Sequence, residues 1–283
     1  MDTVQDVGKW WANVDWLTLT RPETGVAYSA ALDAARWLWA DGSGETSGIL
    51  DEKDWAWLGY KGVRIGSACV GTRPDGTIFR VSGGLADKVS DYLLTGSWKP
   101  SRIDVALTYV TGEAIDDLIR KHADESRACR EQVHSRPWKV SLIQSFGDGD
   151  TLTLGSRTTN AYARVYNKYA ESGFDKGYEG CIRYELEAKG GLAPQVMRNL
   201  NDRGWTSQSK CDIVCTAMMR RGLSMPANLS HSKQVLNWYE NENTDVDKKL
   251  EWLRRQVRPT VAQLKIAGYE DLALQALQGL EDE

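Results

Sequence analysis

The sequence predicts an α+β protein with an antiparallel sheet built from a duplicated strand–helix–hairpin unit, helices on one face and an α-helical C-terminal region. Three observations support this fold class. The order strand, helix, hairpin occurs twice before residue 160. Strands outnumber the helices that could connect parallel neighbours, which favours antiparallel pairing. After Gly190 the apolar residues recur at helical spacing.

The first unit contains a strand, a helix and a hairpin. Alternating apolar residues predict a strand at Val14–Thr20, and helical spacing follows at Gly25–Ala40. The arms of the hairpin are Val63–Gly71 and Thr77–Ser82. Arg73-Pro74-Asp75-Gly76 predicts the turn between them, because Pro presets the first turn dihedral and Asp-Gly suits the close.

The second unit repeats this order further along the chain. A strand is predicted at Arg102–Val110 and a helix at Glu113–Val133. The second hairpin has its arms at Lys139–Phe146 and Thr151–Arg157. Two more strands extend the sheet: Tyr162–Tyr169 and Cys181–Lys189.

Two local matches accompany the repeated order. Val14-Asp15-Trp16 aligns with Ile103-Asp104-Val105, and Asp75-Gly76 aligns with Asp148-Gly149. Identity between the halves is otherwise low. The duplication is therefore predicted from the order of elements and these two matches.

The region after residue 190 is predicted to be a second, helical part of the chain. Helices are expected at Pro194–Asp202, Ser207–Arg221 and Thr244–Val257, with a short one at Tyr269–Leu280. Ala227–Asn243, rich in Ser, Asn and Glu, is the expected linker. We therefore divide the chain into residues 1–190 and 191–283.

Composition excludes several classes of protein. The 283 residues carry a net charge of -4, five scattered cysteines and no apolar run of membrane-spanning length. The N-terminal sequence lacks the pattern of a signal peptide, so we expect a cytoplasmic protein without a membrane partner. No Gly-x-Ser-x-Gly elbow, P-loop or paired-histidine metal motif occurs. Acyl transfer and nucleotide hydrolysis therefore lack support.

Charge is distributed unevenly along the chain. Residues 188–235 contain seven basic and two acidic side chains, a local charge of +5. Such a segment could bind phosphates, although a solvated surface explains the same excess.

Three of the predicted strands have polar faces with an unusual composition. Side chains two residues apart share a face, so each strand separates a polar from an apolar set. The polar sets provide carboxylates, a phenol and fixed cations: Asp104, Glu185, Glu187, Tyr166, Arg102, Arg164, Lys168 and Arg183. This combination suits phosphodiester chemistry, in which carboxylates hold a divalent ion and a tyrosine oxygen attacks phosphorus. A salt-bridged sheet face is the structural alternative.

The succession of these motifs resembles the Rep_trans replication initiation factors, the rolling-circle initiators of small plasmids and filamentous phages, together with related relaxases. The resemblance spans about residues 13–190. It is carried by these segments: Val14-Asp15-Trp16-Leu17, Gly59-Tyr60-Lys61-Gly62, Arg102-Ile103-Asp104, Thr151–Arg157, Arg164-Val165-Tyr166-Asn167-Lys168 and Arg183-Tyr184-Glu185-Leu186-Glu187. The chain has Thr108 where the family often has a second acid.

The resemblance implies a DNA nicking and strand-transfer enzyme. Tyr166 would be the nucleophile, with Tyr162 and Tyr169 as alternatives, and it would keep the 5′ phosphate covalently. Asp104 and Glu185 would bind Mg²⁺ or Mn²⁺, with Glu187 as a possible helper. The phosphate would be contacted by Arg164, Lys168 and Arg183.

These implications divide the chain into a nicking and joining domain, residues 1–190, and a helical region for DNA recognition and packing, residues 191–283. Origin DNA would be the principal partner, both duplex and single-stranded, and the expected contacts in the second region are Arg198, Arg203, Arg220 and Arg221. A host helicase and a second copy of the chain are further expected partners. A conjugative relaxase and a noncatalytic DNA-binding regulator on the same fold remain alternatives.

Overall fold

The computed structural model describes residues 7–43, 52–90, 98–132, 138–145, 149–229, 236 and 258–269. The chain forms two compact units, Met1–Leu236 and Asn237–Glu283. The sheet and the predicted site residues belong to the first unit. In the second unit the structure describes one helix, α7 (Arg258–Ile266).

The first unit contains a ten-stranded antiparallel sheet in the order β2-β3-β4-β5-β1-β6-β10-β9-β8-β7. The strands are β1 (Trp10–Arg21), β2 (Glu52–Trp57), β3 (Tyr60–Ile65), β4 (Ala68–Arg73), β5 (Gly76–Ser82), β6 (Lys99–Val110), β7 (Val140–Ile143), β8 (Thr151–Leu154), β9 (Ala161–Asn167) and β10 (Cys181–Lys189). The helices are α1 (Val26–Ser43), α2 (Gly84–Asp87), α3 (Ile115–Gln132), α4 (Lys168–Glu171), α5 (Leu192–Arg203) and α6 (Ser207–Met219).

The sheet consists of two halves with the same topology, which confirms the predicted fold class. Each half runs strand, helix and then four strands, and its last strand returns to pair with its first. The first strands of the halves, β1 and β6, pair with each other at the centre of the sheet. The repeated unit is therefore longer than a strand, a helix and one hairpin.

The longer unit changes two details of the predicted repeat. The expected arm Val63–Gly71 is split between β3 and β4 by a turn at Gly66, whose φ of +56° suits glycine. Asp75-Gly76 joins β4 to β5, whereas Gly149 lies between β7 and β8. These turns are not equivalent in the two halves, because β4–β5 corresponds to β9–β10.

The two faces of the sheet differ as the alternation predicts. Val14, Leu17, Ile103, Val105 and Tyr184 are fully buried. This apolar face packs beneath the helices: α1 contacts β4 and β5, α3 contacts β7 to β9, and α5 and α6 contact the central strands. The opposite face carries the polar side chains of the same strands, and we call it the polar face.

The helices α5 and α6 pack on the sheet and so belong to the first compact unit. Along the chain, the boundary between the two units falls after Leu236, whereas the sequence suggests a division near residue 190. The predicted helix Thr244–Val257 lies outside the described residues, as do most of the expected linker and all but the first residue of Tyr269–Leu280. Among the described residues, no helix has the length and apolar character needed to span a bilayer.

Candidate active site

A cavity of about 500 Å³ opens on the polar face at the centre of the sheet. Four carboxylates, four basic side chains and one tryptophan line it: Asp15, Asp104, Glu185, Glu187, Arg102, Arg157, Arg164, Lys189 and Trp16. The balance of opposite charges inside one concave surface suits a ligand that carries negative charge and needs carboxylate chemistry nearby.

Strand register brings the predicted residues together. Glu187 on β10 lies directly opposite Asp104 on β6. Glu185, two residues earlier and on the same face, lies opposite Arg164 on β9. Side chains directly opposite one another in antiparallel strands are close neighbours. Period-two alternation and strand pairing together therefore account for the cluster.

Asp15 is a functional candidate that the sequence reasoning did not select. The β1–β6 register shifts between Val14 and Trp16, which marks a bulge at Asp15. Because of the bulge, Val14 and Leu17 both face the core while Asp15 and Trp16 line the cavity. A signal was present, since Asp15 aligns with Asp104 in the repeated motif.

Asp104 is buried, with 2% of its surface exposed. Arg102 donates to both of its oxygens, from Nε at 2.8 Å and from Nη2 at 2.5 Å. Arg102 Nη2 also lies 2.8 Å from Glu187 Oε2, so one guanidinium bridges two carboxylates. Burial raises the pKa of Asp104 to about 6, Arg102 opposes that rise, and the charges of Glu185 and Glu187 add to it.

Glu185 connects the predicted nucleophile to a cation. Tyr166 Oη donates to Glu185 Oε2 at 3.1 Å, and Arg164 Nη2 donates to Glu185 Oε1 at 2.5 Å. Tyr166 is 8% exposed. Burial, and then the charge of Glu185, raise the pKa of Tyr166 far above its usual value. The phenol is therefore protonated near neutral pH and donates its hydrogen bond to the Glu185 carboxylate.

Arg183 is buried beneath the cavity and holds β10 to the two central strands. Its Nη1 donates to Thr108 Oγ1 at 2.9 Å, and its Nη2 pairs with Asp15. Burial lowers the pKa of Arg183, but Asp15 and other neighbours outweigh this effect, and the pKa is raised. Thr108, the position at which this chain departs from the family pattern, thus accepts a hydrogen bond from a guanidinium.

Three further residues were predicted as catalytic candidates, and the structure places them at different positions: Tyr162, Tyr169 and Lys168. Tyr162 lies on the polar face opposite Glu187, with its ring 5.7 Å from the guanidinium carbon of Arg157. Tyr169 lies in α4, with its ring centroid 5.3 Å from that of Phe174. Lys168 begins α4, and its Nζ lies 2.5 Å from Glu171. Lys168 does not line the cavity.

The four arginines predicted to contact DNA from the helical region differ in exposure. Arg198 on α5 is exposed and Arg220 is partly exposed. Arg203 pairs with the buried Asp212. Arg221 is only 6% exposed and donates to the carbonyl oxygens of Ala217 and Ala161. We therefore correct the expectation for Arg221, because its guanidinium holds α6 to the strand β9 and does not face solvent.

The donor chemistry of the cavity fits a hard divalent cation, because carboxylate oxygens are its preferred ligands. Within the described ranges, however, no group of three or more carboxylate, imidazole or thiolate side chains is arranged to coordinate a metal. The guanidinium groups of Arg102 and Arg164 neutralise the carboxylates instead. Metal binding at this site would have to compete with those ion pairs.

Comparisons with known proteins agree with this architecture. A structure of a rolling circle replication initiator protein from Geobacillus stearothermophilus is similar to this chain, with a TM-score of 0.54 and 17% identity. The match covers 84% of this chain and 97% of that one, and at this identity it concerns the fold. No curated protein sequence matches the chain. The family model of the Rep_trans replication initiation factors matches residues 99–280, more than half of the chain and all of β6, β9 and β10, so the chain belongs to the Rep_trans family.

Proposed function

We propose that the protein initiates rolling-circle replication by nicking one strand of its origin and transferring the 5′ phosphate to Tyr166. The contact that carries this proposal is the 3.1 Å hydrogen bond from Tyr166 Oη to Glu185 Oε2. It joins an oxygen nucleophile to a proton acceptor that lines the cavity, although Tyr166 itself is not among the lining residues.

The proposed reaction conserves the number of phosphodiester links. Tyr166 Oη attacks phosphorus as its proton passes to Glu185, and the bond from phosphorus to the 3′ oxygen breaks. The departing oxygen takes up a proton and leaves a 3′ hydroxyl from which a polymerase can extend. Arg164 lies beside both the nucleophile and its proton acceptor, where a fixed cation stabilises charge on the phosphate.

Asp104 and Glu185 would hold Mg²⁺ or Mn²⁺, with Glu187 close enough to help. The ion would supply positive charge to the phosphate oxygens. Arg102 has a separate task in this scheme. Its guanidinium would pair with Asp104 and Glu187 until the phosphate and the divalent ion bind.

The proposal is tested by incubating the protein with a supercoiled plasmid that carries the coding region of this protein. We expect open-circular plasmid with protein attached to the 5′ end of the nick when Mg²⁺ or Mn²⁺ is present. Binding without any nick under either metal would contradict nicking and would favour a noncatalytic DNA-binding regulator. Because a conjugative relaxase would give the same nick, replication of the plasmid from the nicked site distinguishes the two activities.

Duplex recognition is proposed for the helical region, through the exposed Arg198 and the partly exposed Arg220. Replacing both with alanine should weaken duplex binding at low salt for all sequences. The slope of log affinity against log salt should fall by roughly one unit per lost phosphate contact. Fluorescence anisotropy over a salt series measures both quantities.

The matched control removes two exposed cations from α3, by Lys121→Ala and Arg130→Ala. This variant has the same net charge, so a purely long-range effect would change both variants equally. If the Arg198/Arg220 variant and the wild type have equal affinities and equal salt slopes, duplex recognition must lie elsewhere on the protein. A host helicase and a second copy of the chain remain predicted partners of the protein.

A further inference from the structure

A row of cations extends from the cavity across the polar face towards β2. Strand register places Lys53 opposite Arg64, Cys69 between Arg64 and Arg80, and Thr18 between Arg80 and Arg102. Lys189, opposite Arg102, ends the row. We call Lys53, Arg64, Arg80, Arg102 and Lys189 the basic row. It crosses seven strands, which corresponds to roughly 29 Å at ~4.8 Å per strand.

The first half of this face carries more basic than acidic side chains. On strands β2 to β5, the polar face carries Lys53, Arg64, Arg73 and Arg80 and no carboxylate. The acids of β2 alternate to the other face, where Glu52 Oε1 lies 2.9 Å from Arg36 Nη2 on α1. Arg73 pairs with Asp75 in the turn that follows β4. No described carboxylate pairs with Arg64 or Arg80, so these two guanidinium groups could bind an anion.

Arg80 is the clearest case within the row. Among the residues that the structure describes, no carboxylate pairs with it, and its guanidinium carbon lies 3.9 Å from the ring centroid of Trp16 and 5.5 Å from that of Trp57. Burial lowers the pKa of Arg80, and the charges of Arg102 and Arg64 lower it further. A phosphate beside Arg80 would relieve this repulsion.

Aromatic rings lie along the basic row. Arg102 is 4.8 Å from the ring centroid of Trp16, so this indole lies between Arg80 and Arg102. Trp57 is 40% exposed, and its ring centroid is 6.4 Å from that of Trp55. A Cβ on Gly71 would come within 2.9 Å of the Trp55 ring. Glycine at this position therefore lets the ring lie against the sheet.

We propose that the basic row and the indoles of Trp16, Trp55 and Trp57 bind single-stranded DNA that flanks the cleavage position. This proposal rests on the nicking function, because the row ends at the cavity that would hold the scissile phosphate. Phosphates would follow the cations and bases would stack on the indoles, the combination that binds single strands with little sequence preference. In a duplex the bases are already stacked inside, so these indoles would gain no base contact.

The test measures binding of oligothymidylate of about 30 nucleotides, about twice the largest common site size of ~16 nucleotides. All variants are made in the Tyr166→Phe background, which prevents cleavage. For Arg64→Ala with Arg80→Ala, we expect about tenfold weaker binding and a salt slope lower by about 1.4 units. For Trp57→Ala, we expect binding about tenfold weaker with an unchanged salt slope.

Matched controls come from the helix-covered side of the sheet. Lys121→Ala with Arg130→Ala removes the same charge, and Trp37→Ala removes an indole that is 36% exposed on α1. Both should bind the oligonucleotide as the background protein does. Because Trp57 is exposed, Trp57→Ala should fold. Its binding can therefore be measured even if the double arginine variant does not fold.

Two outcomes would overturn the proposal: full oligonucleotide affinity in both variants of the row, or equal losses on oligothymidylate and on a duplex of the same length. The second would show a general phosphate-binding surface. Failure of the nicking function is distinguishable, because the binding differences would persist while the plasmid assay showed no nick. Nicking by the wild type together with unaltered binding of the variants would remove only the single-strand surface.

Discussion

Tyr166→Phe is expected to abolish the covalent protein–DNA adduct while leaving the fold and DNA binding intact. Phenylalanine keeps the ring but has no oxygen to attack phosphorus. The hydrogen bond to Glu185 is lost, but Glu185 keeps Arg164 as its partner, so the cost in free energy of unfolding should be about 1 kcal/mol. Adduct formation on an origin fragment is measured by gel shift after denaturation, and urea unfolding checks stability.

Two other tyrosines provide matched controls for this substitution. Tyr169→Phe should give wild-type adduct, because Tyr169 lies in α4 and its described ring contact is with Phe174, not with Glu185. Tyr162 lies on the polar face beside Glu187, which makes it the alternative nucleophile. Adduct from Tyr166→Phe at the wild-type yield would contradict the assignment, and peptide mapping would then identify the modified tyrosine.

Glu185→Gln and Asp104→Asn are expected to impair cleavage in different ways. Glu185 accepts the hydrogen bond of Tyr166, so its amide cannot take the proton, and cleavage should fall by about 10²- to 10⁴-fold even at high metal concentration. Asp104 contacts Arg102 and lies opposite Glu187, with no described contact to the phenol. Asp104→Asn should therefore weaken metal binding, and more Mg²⁺ should partly restore cleavage.

Rates of cleavage over a series of Mg²⁺ and Mn²⁺ concentrations separate the two effects. Glu131→Gln is the matched control, since Glu131 is exposed on α3, on the helix-covered side of the sheet. It should cleave as the wild type does. Full activity of Asp104→Asn or Glu185→Gln at low metal concentration would assign that carboxylate to the ion pairs of the sheet alone.

Much of the candidate site could be predicted from local alternation. Asp104, Arg164 and Glu185 each occupy polar positions in strands with a strict period of two, and the structure brings all three to one cavity. The same pattern correctly separates Ile103, Val105 and Tyr184 into the core. Alternation within a strand is a local property, so a single sequence can reveal it.

The pairing of these side chains was beyond local reasoning. That Glu185 contacts Tyr166, and that Arg102 bridges Asp104 to Glu187, depends on which strands are neighbours and in which register. Register is set by nonlocal packing and by bulges such as the one at Asp15.

Lys168 and Arg221 show two further limits. Alternation extended to Lys168 would place it beside Tyr166, but Asn167 caps α4 by accepting a hydrogen bond from the Ala170 amide at 3.2 Å. The strand ends there, so Lys168 leaves the alternation. Arg221 follows a helix whose residues are buried on nearly every side, and a count of charges along the chain cannot detect that burial.

The pairing of β1 with β6 also determines when a nascent chain can complete its sheet. β1 is synthesised early and can pair with β5 once Ser82 has emerged, but its other edge stays open until β6 follows. An open strand edge is prone to pair with other chains. The helix α6, which packs across both β1 and β6, emerges about a hundred residues later still. The seam between the halves is therefore the last part of the sheet to be covered, and the chain is most exposed to misassembly before α6 emerges.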